Sequence, residues 1–437
     1  MSVTDRSMGL GLRALGLVAG SDLIDRLGVR KPAEQVVYRA TRDGFRAVGA
    51  GTKIFKQVRG RGQPTRLKPT GSGLFDLTPT DEQQMLGEAF RDFGAERLRP
   101  AALAADGNAA APPELLAEAA ELGLTMLGVP EELGGAVSER SSVTAVLAAE
   151  ALAHGDMGLA VAALAPAALP TALSLWGDSE QQATYLPQLL AEDPAIGILA
   201  IQEPRALFDP FELETTATID GADYVLNGVK AFVPRATDAD LLLVAANIAG
   251  HGPGLFLVEA SADGVLAKPA PGMGVRAGAI GELLLQDVRL PARALLADGD
   301  QAVYAECVRR ARLAWCALAA GTGKAVLDYA IPYVNERIAF GEPISHRQSV
   351  AFAISNIAIE LDGMRLATLR AAARADAGKS FAREAALARH LCSEKGVFIG
   401  SEGVQLLGGH GYIKEHPVER WYRDLRAVGL AEGALLV

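Results

Sequence analysis

From Thr78 to about Ala191 the apolar positions recur with a helical period. Thr80-Asp81-Glu82-Gln83 predicts a helix start, with acids in the first turn that complement the helix dipole. Pro112-Pro113-Glu114 opens another helix, Gly128 to Gly135 reads as a turn-rich loop, Ser141 to Leu164 as one alanine-rich helix and Ser179 to Leu190 as a further one. The pattern then changes. Runs rich in apolar and β-branched residues fall at Ile196–Ile201, Thr215–Ile219, Tyr224–Leu226, Leu241–Val244, Leu255–Val258 and Leu283–Leu285, separated by Asp-Gly, Asn-Gly and Gly-Pro-Gly turn signals. These predict a small antiparallel β domain. Residues 300–437 return to long helical patterns with few breakers. A helical, then β, then helical order keeps the two kinds of element apart, so the predicted class is α+β and mostly helical. The expected divisions are an N-terminal extension over 1–75, a helical domain over 76–193, a β domain over 194–297 and a helical bundle over 298–437. The extension carries two amphipathic patterns, Met8–Gly28 and Ala33–Val58, and ends in the linker-like Arg59–Pro64.

Composition changes this picture in three ways. Half of the 437 residues are hydrophobic, enough for a sizeable core, and no uninterrupted apolar run suggests a membrane span. Cys307, Cys316 and Cys392 are odd in number and scattered, so neither a disulfide framework nor a metal site is expected, and a reducing cytoplasm is the default compartment. Thirdly, the net charge of -10 is unevenly spread: residues 1–70 hold 14 Lys and Arg against 5 Asp and Glu, and the rest holds 28 against 47. A basic arm on an acidic body suits docking on that body, or peripheral contact with an anionic membrane. The acidic body disfavours nucleic acid as a partner.

The last third holds the motifs with chemistry in them. Arg337, Phe340 and Gly341 are followed by Gln348. Gly408, Gly409, Gly411 and Tyr412 form a Gly-Gly-x-Gly-aromatic loop, and Arg423-Asp424-x-Arg426 precedes Glu432-Gly433. In the β region stand Asn227-Gly228-Val-Lys230 and Asp287-Val-Arg-Leu-Pro291. In this order and spacing, residues 78–437 resemble the acyl-CoA dehydrogenases, a family of FAD enzymes that desaturate an acyl thioester between its α and β carbons.

The resemblance implies roles for particular residues. Glu432 matches the base that takes the α-proton, and Arg312 matches an arginine beside it; read locally, Arg312 is equally a solvated member of the run Arg309–Arg312. Arg337 would meet the FAD pyrophosphate of a neighbouring subunit, since a guanidinium matches phosphate oxygens bidentately. Phe340, Gln348, Gly408, Gly409 and Gly411 would complete that contact. Gln202 and Phe232 stand where the family contacts the flavin ring. The implied partners are an acyl-CoA substrate, a homodimer or homotetramer, and an electron-transferring flavoprotein as oxidant.

The β region departs from the family pattern. Gln202-Glu203-Pro204 stands for Thr-Glu-Pro, Phe208 for a serine, and Phe232-Val233-Pro234 for Trp-x-Thr. Proline offers neither hydroxyl nor N–H, so hydrogen bonds to the ring are expected to be fewer. Pro332 is expected to kink the helix bearing Arg337. These departures leave open a partner-dependent subunit of a hetero-oligomer with a second family member, or an interaction protein targeted by its basic arm.

Overall fold

The computed structural model describes residues 79–135 and 137–437; the N-terminal extension with its two amphipathic patterns lies outside the described residues. Helix α1 (Asp81–Phe93) starts where Thr80 completes a capping box: its hydroxyl accepts from Gln83 N–H at 3.2 Å, and the Gln83 side chain accepts from Thr80 N–H at 3.1 Å. A π-helical turn at Gly94–Leu98 leads into α2 (Arg99–Asn108), followed by α3 (Pro113–Glu121).

The single helix expected over Ser141–Leu164 is two, α4 (Ser142–Gly155) and α5 (Met157–Leu164). Asp156 divides them. Its backbone is extended, its Oδ1 accepts from Leu159 N–H at 3.0 Å, and its Oδ2 accepts from Arg420 Nε at 2.9 Å. A side chain that caps one helix and carries a counter-charge from another domain overrides the alanine-rich helical propensity on either side. Two further helices, α6 (Ala168–Trp176) and α7 (Ser179–Leu189), close this region. Met157–Trp176, which runs through α5 and α6, is long and apolar enough to cross a membrane by length and composition, but 89% of its most apolar window is buried inside the fold.

The sheet holds β1 (Gly197–Ala200), β2 (Thr216–Asp220), β3 (Asp223–Pro234), β4 (Leu241–Ile248), β5 (Gly252–Glu259), β6 (Val265–Pro269) and β7 (Ile280–Pro291). They run in the order β1-β4-β2-β3-β7-β6, with β5 beside β4. The sheet is not antiparallel throughout: β1 and β2 both pair with β4 in parallel. The segments that separate each of them from β4 are long enough for the crossover a parallel pair requires. Strand β4 explains the apolar run at Leu241–Val244. Leu242, Val244, Ala246 and Ile248 face one core, and Leu241, Leu243 and Ala245 face another, so both faces are covered.

Helix α8 (Gln301–Glu336) packs against α4, α9 (Gln348–Asp376) and α10 (Ala382–Leu407). It runs through Pro332 and stops at Glu336. Arg337 is therefore an extended C-cap residue and not part of the helix. A short hairpin, β8 (Ile338–Ala339) and β9 (Glu342–Pro343), joins α8 to α9. Helix α11 (Val418–Ala427) precedes the final irregular segment.

Candidate active site

After α11 the chain has no regular structure, yet every residue from Ala431 to Val437 is buried. Glu432, only 7% exposed, sits in this segment. Its backbone is anchored by side chains from three other elements. Arg389 on α10 donates to Ala431 O at 2.7 Å, Gln202 beyond β1 accepts from Glu432 N–H at 3.0 Å, and Trp315 on α8 donates to Gly433 O at 3.0 Å. Gly433 adopts φ 74, and a Cβ there would stand 2.9 Å from the Ile201 side chain, so both conformation and space demand glycine. The carboxylate lies against Arg312, whose Nε is 3.0 and 2.9 Å from the two oxygens and whose Nη2 is 2.8 Å from Oε1. Oε1 also faces Arg389 Nη2 at 3.5 Å, whereas among the described residues Oε2 meets only Arg312 Nε. Glu432 and Arg312, which are 120 residues apart, are thus brought together as the sequence suggested.

Gln202 and Phe232 join the same group. Gln202 O accepts from Ala231 N–H at 2.8 Å, tying the end of β1 to β3 beside the Glu432 contact. A register shift in β3 between Lys230 and Val233 leaves Phe232 at φ 53, with its ring 5.8 Å from that of Trp315. Beneath them Glu203 and Lys230 form a buried ion pair at 2.8 Å. Pro234 ends β3 opposite Ile280. In the loop after Pro204, Arg205 bonds within the loop itself. Arg205 is committed to Glu212 O and Glu214, and its guanidinium lies 5.6 Å from the Phe208 ring centre.

Four of the remaining candidates, Arg337, Phe340, Gly408 and Gly409, line a separate groove of about 1000 Å³. Its walls include Arg337, Phe340, Arg347, Gly408 and Gly409. Phe340 is 97% exposed at the tip of the β8–β9 hairpin, beneath the Arg347 guanidinium at 5.8 Å. Gly408 and Gly409 leave open space where a Cβ would stand. Gln348 opens α9 nearby and is exposed, but it does not line the groove. Gly411 is buried, and a Cβ there would meet Val404 O at 2.3 Å, so its glycine serves packing within this chain. Two guanidiniums and bare backbone in an open groove suit a diphosphate and its adenosine. No hydrogen bond between the described residues joins this groove to the Glu432 group.

Sequence reasoning missed Arg389 and Trp315. Arg389 carries no local signal, being one arginine in a helix, and its partners lie 42 and 43 residues on. Trp315 had one usable signal, its place a single turn beyond Arg312 on α8.

The geometry agrees with three family models: Acyl-CoA dehydrogenase, N-terminal domain over residues 80–193, middle domain over 199–288, and C-terminal domain over 301–435. The chain is 33% identical over 377 residues to Acryloyl-CoA reductase (NADH) of Anaerotignum propionicum, covering 84% of this chain and 95% of that one. Among solved structures it is similar to butyryl-CoA dehydrogenase from Megasphaera elsdenii, with a TM-score of 0.75 and 30% identity, over 82% of this chain and 96% of that one. It is likewise similar to the FAD complex of PigA, with a TM-score of 0.75 and 25% identity over the same shares. The chain belongs to the acyl-CoA dehydrogenase family.

Proposed function

We propose that this chain is an FAD-dependent oxidoreductase of acyl-CoA thioesters in which Glu432 exchanges the α-proton. The observation that carries the reading is the buried Glu432 carboxylate, held by Arg312 with one oxygen less committed than the other. Bound FAD supplies the hydride acceptor that no side chain provides. Arg337, Arg347, Gly408 and Gly409 would hold its adenosine diphosphate half, and Gln202 and Phe232 would face its ring. The chain's own residues do the proton chemistry. Arg312 orients the carboxylate, and Oε2 is the oxygen with a lone pair to spare. The same carboxylate returns a proton in the reverse direction, so a reductase among the relatives is compatible with this assignment.

The test is Glu432→Gln, which keeps shape and removes basicity. Anaerobic acyl-CoA should bleach the flavin of the wild type. The variant should keep its FAD and lose roughly 10²–10⁴-fold in the bleaching rate. Full activity in the variant would remove Glu432 from the mechanism.

The loop after Pro204 favours a second reading. Arg205 there bonds to Glu212 O and Glu214 and lies against the Phe208 ring, so its guanidinium is turned to its own loop. The chain would then work as a subunit dependent on a second family member. FAD titration of the purified chain separates the two: a colourless protein that excess FAD cannot reconstitute supports partner dependence.

A further inference from the structure

The segment that carries Glu432 lacks helix or strand, so its geometry depends on the side chains that reach it. Three do so through its backbone, and of these Arg389 alone also faces the carboxylate. Arg389 comes from α10, whereas Arg312 comes from α8, so Glu432 is approached by guanidiniums from two helices.

Burial is the second observation. The Arg389 side chain is 11% exposed. Burial lowers its affinity for its proton, against the opposing pull of Glu432. A guanidinium is costly to desolvate, and the cost is offset only through the acceptors it finds. Among the described residues those acceptors are Ala431 O at 2.7 Å and Glu432 Oε1 at 3.5 Å, while Nη1 is buried with none. A guanidinium serving only to join α10 to the core would not need both of its acceptors in the residue pair that presents the base.

We propose that Arg389 is a positioning residue for the proton transfer: by holding the Ala431 carbonyl and flanking Oε1, it presents the Glu432 carboxylate with Oε2 toward the substrate. The inference rests on Glu432 being the base. In the step concerned, the α-carbon gives its proton to the carboxylate, the electron pair left behind is delocalised onto the thioester carbonyl, and solvent exchanges the proton held on Glu432. Displacement of a reacting group by about 1 Å costs on the order of 100-fold in rate.

The experiment uses the full-length, FAD-loaded protein as wild type, Arg389→Met, Arg389→Lys and Glu432→Gln. The primary readout is deuterium uptake at the α-carbon of a saturated acyl-CoA in D2O, followed by mass spectrometry, alongside kcat, KM and Tm. Arg389→Met should slow uptake and kcat together by roughly 100-fold, with KM changed by less than about threefold. Arg389→Lys, which keeps a charged donor nitrogen on a shorter side chain, should recover part of the loss. Unchanged uptake and kcat in Arg389→Met with only a lower Tm would overturn the inference. If Arg389→Met fails to fold, wild-type uptake in Arg389→Lys overturns it instead, and slowed uptake with a native Tm supports it. Uptake that persists in Glu432→Gln would sink the base assignment itself. Uptake lost there but intact in Arg389→Met would sink the Arg389 role alone.

Discussion

Glu203 and Lys230 are 2% and 0% exposed, and every polar atom of the pair is accounted for. Lys230 donates to Ile201 O at 3.1 Å and to Glu203 at 2.8 Å; Glu203 also accepts from the backbone N–H groups of Glu214 and Thr215 at 2.7 and 2.8 Å. The pair fastens the chain after β1 to β3, immediately under Gln202 and Phe232. A buried ion pair adds little over a well-packed apolar substitute, but removing one partner leaves a charge uncompensated. Lys230→Met is therefore expected to cost about 3–5 kcal/mol in urea unfolding. Adding Glu203→Gln should restore much of that. Equal stability of the single and double variants would show that the two charges are not coupled.

Helix α11 ties the domains together through acids and arginines that alternate along it. Arg420 pairs with Asp156 at 2.9 Å, Arg423 pairs with both oxygens of Asp106 at 2.9 Å, and Asp424 accepts from Val275 N–H at 2.6 Å. Burial, with Asp156 adding to it, pushes the Asp424 carboxyl up to about 8. The sign follows from linkage. A folded pKa near 8 against an unfolded value near 3.8 means that the native state holds the proton more tightly. The contribution is complete below pH ~4 and is lost as pH rises toward about 8. Wild-type Tm should thus fall between pH 5 and 9 more steeply than that of Asp424→Asn, which cannot ionise. Parallel slopes would show that Asp424 is charged throughout. At this scale the sequence was legible where a local rule decides, as in the Thr80 capping box and the run of β4. It was not legible where a distant partner decides. Asp156 breaks a helix because Arg420 reaches it from 264 residues away. The parallel neighbours of β4 are set by long crossovers. Strand β6 was missed because it is mostly solvent-facing and ends in Pro269. Of the candidate site, Glu432 and the glycine loop stood out through the family's motifs and Arg312 was read two ways, whereas Arg389 gains its meaning only from the turn of chain that it holds.

At the scale of the whole molecule, the two groups of candidate residues are separate within one chain. The groove carries guanidiniums and bare glycines, while Gln202, Phe232 and Glu432 lie elsewhere. Phe340 in its wall is 97% exposed, and Tyr412 and Phe352, each within four residues of lining residues in sequence, are 87% and 58% exposed. Exposed apolar side chains of this size suit a subunit interface. If the groove of one chain clasps a flavin whose ring lies in its neighbour, base and clasp for one reaction come from different subunits. Arg337→Ala should then weaken FAD retention, read as the flavin-to-protein ratio after gel filtration, while leaving its own Glu432 intact. Glu432→Gln should retain FAD and be inactive. Co-expressed with distinguishable tags, the two inactive chains make mixed dimers in which one site combines the intact Glu432 of the first with the intact groove of the second. With random pairing, half of the dimers are mixed and each has one complete site of two, so activity should return to about a quarter of wild type. If groove and base act on the same flavin within one chain, every site in the mixture carries a lesion. Co-expression then gives no more activity than the two variants assayed apart, and the shared-site arrangement is excluded.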